Sequence, residues 1–114
     1  MKLEYSELDN GIRLIKLSGR LDMAGTNLVD KQFAEYCEGS NVFVLVDLSQ
    51  VNYLSSIGIP MLIASAKAVT NRGGRMALLN PQASVKLVLD ITGVANMLRI
   101  YKDLETAKDR LMQA

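Results

Sequence analysis

Val42-Phe43-Val44-Leu45-Val46 carries no polar side chain, and a short β-branched and aromatic run of this kind is the pattern of a central strand covered on both faces. After it, Ile59, Leu62, Ile63, Ala66 and Val69 recur at helical spacing until Asn71-Arg72-Gly73-Gly74, where the glycines supply a left-handed stop. A buried strand that feeds a helix is the first half of a β-α-β crossover. Whatever else the chain does must be compatible with a parallel sheet.

The flanking sequence extends that alternation. Leu3 to Leu8 and Ile12 to Ser18 flank Asp9-Asn10-Gly11, and an Asn-Gly pair accepts the positive φ angles of a tight hairpin turn. Val29, Phe33, Tyr36 and Cys37 then share one helical face, with Asp22 or Thr26 as N-cap and an end near Gly39. Downstream, Met76 to Leu79 reads as a strand, Asn80-Pro81 breaks it, and Val85, Val88 and Leu89 mark a helix that stops at Gly93. Met97 to Tyr101 reads as a last strand, and Leu104, Ala107 and Leu111 stripe a closing helix capped by Asp103. The predicted order is β-β-α-β-α-β-α-β-α. It describes an α/β fold with four helices and a mixed, mostly parallel sheet that carries an antiparallel hairpin at its N-terminal end. The breaks separate pieces too short to bury cores of their own, so residues 1–114 are read as one domain.

Charge and composition exclude several functions. The 13 basic and 12 acidic residues are spread along the chain for a net charge of +1, and no window supplies the concentrated basic face that nucleic acid requires. No apolar run approaches the ~20 residues of a membrane span, and MKLEYSEL has acids where a signal peptide would be apolar. The chain is therefore expected to be cytoplasmic. It contains no histidine, so a Cys/His zinc site and a Cys–His nucleophile cannot be built, and no side chain has an unperturbed pKa close to neutrality. No enzyme, metal or cofactor is expected. The single cysteine, Cys37, reads as a small apolar residue near a helix end.

Loops leaving the carboxyl ends of parallel strands gather on one edge, where ligands and partners usually bind. That edge is expected to collect Asp22, the Ser49 to Gly58 loop and Asn80. Within it, VDLSQVNYLSSIGIP holds two adjacent serines ahead of a helix. One serine is expected to be the N-cap, although Pro60 biases Ile59 away from helical angles and predicts a helix that begins later than Ser56 or begins irregularly, either of which leaves the serines in an exposed turn. Asp47 and Asn52 read as turn residues. A Gly-x-Ser-x-Gly elbow is absent, no histidine completes a triad, and no phosphate-binding Gly-x-x-x-x-Gly-Lys-Ser/Thr stretch occurs. A serine hydroxyl at an exposed helix start is also a candidate for phosphorylation. The modification adds about −1.5 to −2 charges where helix amides tolerate them, and a tightly closed partner surface would not tolerate them.

Asp47-Leu48-Ser49-x-Val51-x-Tyr53-Leu54-Ser55-Ser56-x-Gly58, preceded by an apolar strand and by Gly19-Arg20-Leu21-Asp22, resembles the STAS domain of bacterial anti-sigma factor antagonists. The resemblance implies a protein that binds an anti-sigma factor, itself a serine kinase of the histidine-kinase-like ATPase fold, and so releases a sigma factor. It implies Ser56 as the phosphoacceptor, with Ser55 as runner-up, and a phosphatase that resets the switch. Asp22, Asn52, Tyr53, Ser55, Ser56, Ile57, Gly58 and Ile59 would form the partner surface, with Leu62 and Ile63 in support. Family members regulated this way often have Asp where this chain has Ser55. The alternative is a STAS module that is never phosphorylated, such as a scaffold or a small subunit of a signalling or lipid-transport complex.

Overall fold

A computed structural model describes residues 1–8 and 10–113. Its elements are β1 (Lys2–Glu7), β2 (Arg13–Leu21), α1 (Met23–Tyr36), β3 (Phe43–Leu54), α2 (Ile59–Asn71), β4 (Arg75–Leu79), α3 (Ala83–Ile91), a 3-10 turn (Val94–Asn96), β5 (Arg99–Tyr101) and α4 (Leu104–Met112). The strands lie side by side in chain order. β1 pairs antiparallel with β2, and every other pairing is parallel. The opening hairpin closes through Leu8 and Ile12, whose backbones bond at 2.8 Å, with Gly11 at φ 83°. Asp9 of the predicted turn lies outside the described residues.

Helices α1, α2 and α3 cover one face of the sheet and bury Val29, Phe33, Leu62, Val69, Val85 and Leu89 against Ile15, Leu17, Val44, Val46 and Leu78. Helix α4 lies on the other face, where Ala107 and Leu111 meet Ile12, Leu45, Ala77 and Leu79. Strand β3 is therefore apolar on both sides at Val44, Leu45 and Val46, as its composition demands. On β2 the buried Ile15, Leu17 and Leu21 alternate with the more open Lys16, Ser18 and Arg20, the period-two pattern of a strand that α4 leaves uncovered.

The largest departure from expectation is the length of β3. The stretch from Ser49 to Leu54, expected as loop, is strand: Gly19 pairs with Val51, Arg20 with Tyr53 and Leu21 with Leu54. Two register shifts, one between Lys16 and Ser18 and one between Gly19 and Arg20, each insert an extra residue on β3. These bulges turn Leu48, Val51 and Leu54 inward at every third position. A strand normally buries every second residue, so the pattern did not read as one.

Candidate functional site

The site begins where β2 and β3 end together. Because Leu21 is the register partner of Leu54, the chain leaves β2 as Asp22 directly beside Ser55 leaving β3. Asp22 is the N-cap of α1, its Oδ1 accepting from the Gly25 N–H at 2.9 Å, while its Oδ2 accepts from Arg20 Nε at 3.3 Å. The Gly25 bond, opposed by partial desolvation and supported by Arg20, holds the Asp22 carboxyl below the usual carboxylate range. Of the two N-caps that the sequence allowed, the helix uses Asp22. Thr26 is buried one turn further on.

The two serines have different environments. The Ser55 N–H and the Ser55 Oγ both donate to the Leu21 carbonyl, at 3.1 and 3.2 Å, and Oγ accepts from the Ile57 N–H at 3.3 Å. This side chain is folded into the turn. Ser56 is exposed, and its hydroxyl has no hydrogen-bond partner among the described residues. Neither serine caps α2. The N-cap is Gly58, which forms no side-chain cap bond, and Pro60 sits in the first turn. The expected serine cap fails because α2 starts at Ile59, which leaves the cap position to Gly58; Pro60 is tolerated in the first turn, and its bias against a helical Ile59 is overridden.

Gly58 is buried because the turn closes onto β2: a Cβ there would lie 2.8 Å from Leu21 Cγ and 3.0 Å from the Leu21 carbonyl oxygen. Ile59 and Leu62 are buried beneath it, whereas Ile57 is 45% exposed and Tyr53 41% exposed. Ile63 is half-buried. Asn52 is exposed on β3, at the second bulge. Asp47 accepts from the Ser49 N–H at 2.9 Å and so fixes the backbone at the first bulge.

Asn80 does not join this group. Leu79 pairs with Asp47, seven residues before Leu54, so Asn80 lies well back along β3, where the neighbouring Gln82 reaches the Ser49 carbonyl. The edge therefore collects Asp22 and Ser55–Gly58 but leaves Asn80 behind, because β3 runs so far past β4. Arg20 was missed as a site residue. Its guanidinium lies 4.1 Å from the Tyr53 ring centroid and ties that ring to Asp22. Its alternation with the buried Leu21, in the strand that delivers Asp22, was the available signal.

The STAS domain family model matches residues 6–107, nearly the whole chain. The chain belongs to the STAS domain family. Among its relatives, an anti-sigma F factor antagonist from Paenibacillus polymyxa is 25% identical over 96 residues, covering 83% of this STAS chain and 82% of the relative. An anti-sigma factor antagonist from Mycobacterium paratuberculosis superposes with a TM-score of 0.88 at 19% identity, over 98% of this chain and 94% of that one. A STAS domain protein from Planctomyces limnophilus gives 0.87 at 18% identity, over 97% and 98%. These likenesses identify the STAS fold of a five-stranded mixed sheet with four α-helices. No helix among the described residues is long and apolar enough to cross a membrane.

Proposed function

We propose that this STAS protein is an anti-sigma factor antagonist whose binding to an anti-sigma factor, itself a serine kinase, is switched off by phosphorylation of Ser56. The observation that carries the reading is the contrast between the serines: Ser56 presents a free, exposed hydroxyl, while the Ser55 hydroxyl is engaged by Leu21 and Ile57. The antagonist relatives support the partner class. A phosphate on Ser56 would stand on the exposed turn ahead of α2, where it displaces no packed side chain, so the fold survives it. The partner complex does not, because an interface closing over Tyr53, Ser56 and Ile57 would desolvate a dianion without a matching cation. Asp22, Arg20 and Asn52 form the polar rim of that interface.

The test is binding of the host's anti-sigma factor to three forms. Wild type should bind and lose binding on incubation with ATP and the kinase, Ser56→Ala should bind constitutively, and Ser56→Asp should bind at least about tenfold more weakly. Equal regulation of all three overturns the reading. A second reading, a STAS module that is never phosphorylated, is favoured by one feature: Ser55 stands where regulated members often have Asp, and its hydroxyl serves the turn. It predicts no phosphate on the native protein under growth, stress or starvation, as read by intact mass before and after phosphatase treatment.

A further inference from the structure

A cleft of about 500 Å³ opens at the opposite ends of the strands, between Gly74, the first residues of β4 and β5, and the last turn of α4. Three arginines line it: Arg75, Arg99 and Arg110. No Asp or Glu stands among the described lining residues. Arg99 and Arg110 have no hydrogen-bond or ion-pair partner among the described residues, and Arg75 spends one N–H on the Leu111 carbonyl at 3.4 Å. Local roles exist for each arginine: Arg110 faces the negative end of its own helix, and Arg99 lies on an edge strand that charge protects from mispairing. None of these roles accounts for three arginines lining one cavity with no acidic side chain among its described residues.

The cleft continues into a smaller, mainly apolar depression of about 140 Å³, lined by Ile63 and Ala66 with Lys67 at its side. Thr70, Met97 and Leu98 belong to both. The combined site has the size of small-molecule sites and their composition, an apolar wall with a few convergent polar groups. Guanidinium groups match phosphate oxygens with paired N–H donors and remain charged at any physiological pH.

From this we infer that the cleft is a binding site for a phosphate ester carried on an apolar body, with the phosphate held by Arg75, Arg99 and Arg110 and the body along Met97 and Leu98. The site is remote from Ser56. Helix α2 runs from the Ser56 turn to Thr70 on the cleft wall, so the two sites sit at opposite ends of one helix. The inference does not depend on phosphorylation of either serine.

Amide chemical-shift titration of the full chain, in physiological salt, tests it with three soluble probes: pyrophosphate, glycerol 1-phosphate and AMP. Saturable shifts should be confined to the amides of Arg75, Leu98, Arg99, Tyr101 and Arg110, with AMP binding about tenfold more tightly than glycerol 1-phosphate. The pair Arg99→Ala and Arg110→Ala should weaken AMP about tenfold while lowering the melting temperature by no more than about 5 °C, and the Arg→Lys pair should keep the wild-type melting temperature and retain part of the affinity. A lipid headgroup offers the same chemistry, and co-sedimentation with phosphatidic acid vesicles, lost in the Ala pair, identifies that source if AMP does not bind. The inference is overturned if shifts fail to saturate, if they spread over all basic residues, or if both the Ala and Lys pairs bind every probe as wild type does.

Discussion

Arg20 lies over the ring of Tyr53, 4.1 Å from its centroid, and the two residues are also register partners across β2 and β3. One cation thus fixes an exposed aromatic ring and, through Nε, the Asp22 carboxylate at 3.3 Å. Replacing Arg20 with Ala should cost no more than about 1 kcal/mol of fold stability, the scale of an exposed cation–π pair. If the proposed interface is correct, it should also weaken anti-sigma factor binding by about tenfold, because Tyr53 must then be ordered on binding. Denaturant melts and titration calorimetry separate the two effects.

The serines should part company in stability measurements before any partner is added. Ser55→Ala removes the hydroxyl that bridges Leu21 and Ile57 and should cost about 1 kcal/mol. Ser56→Ala touches nothing and should stay within about 0.5 kcal/mol of wild type. Urea unfolding of both variants decides it, and equal losses would count against the assigned turn.

Two glycines close the site by backbone approach. A Cβ on Gly25 would lie 2.0 Å from the Arg20 carbonyl oxygen, and one on Gly58 would meet Leu21 Cγ at 2.8 Å. Gly58→Ala should cost about 1–3 kcal/mol by overpacking, and Gly25→Ala should cost more because its obstacle is backbone. The order of the two urea midpoints is the measurement.

Stability should fall in acid partly through Asp22. Its folded pKa is lowered from 3.8, chiefly by the Gly25 N–H, so its contribution is present above the unfolded value and is lost as pH falls through the folded one. Asp22→Asn keeps an N-cap acceptor but cannot titrate, and its melting temperature should vary less than that of wild type below pH 4. Asp103, lowered by the Thr106 N–H and hydroxyl, should account for part of what acid dependence is left.

Cys37 should be inert. Burial pushes its thiol up to about 11, against smaller opposing effects of Ser65, Arg13 and Arg72. Iodoacetamide at pH 8 should leave the folded protein unmodified by mass and label it fully in denaturant. Rapid labelling of the native protein would contradict this burial.

Much of the fold was legible because its signals are local. Val42 to Val46 announced a two-sided strand, and the spacing of Ile59, Leu62, Ala66 and Val69 announced the helix that follows. Asp22 and Asp103 were readable as caps because each precedes its helix by one residue. The site was legible only in part. The bulges of β3 depend on pairing with β2, a contact between distant residues, so a real strand looked like a loop at Ser49 to Leu54. The same non-local pairing places Arg20 beside Tyr53 and leaves Asn80 outside the group. The serine cap failed for a local reason, since α2 starts at Ile59 with Gly58 as its N-cap and both serines stay in the turn before it.

Beyond Asp47, β3 has a paired neighbour on β2 alone, because β4 ends at Leu79. In mechanical language its last seven residues form a cantilever: clamped along one side, without a strand partner along the other, with the Ser55–Gly58 turn at its tip. The stiffness of that tip is borrowed from β2, and β2 in turn is braced by β1 through six register pairs from Lys2–Ser18 to Glu7–Arg13. Softening the opening hairpin should therefore loosen the Ser56 turn without touching a residue near it.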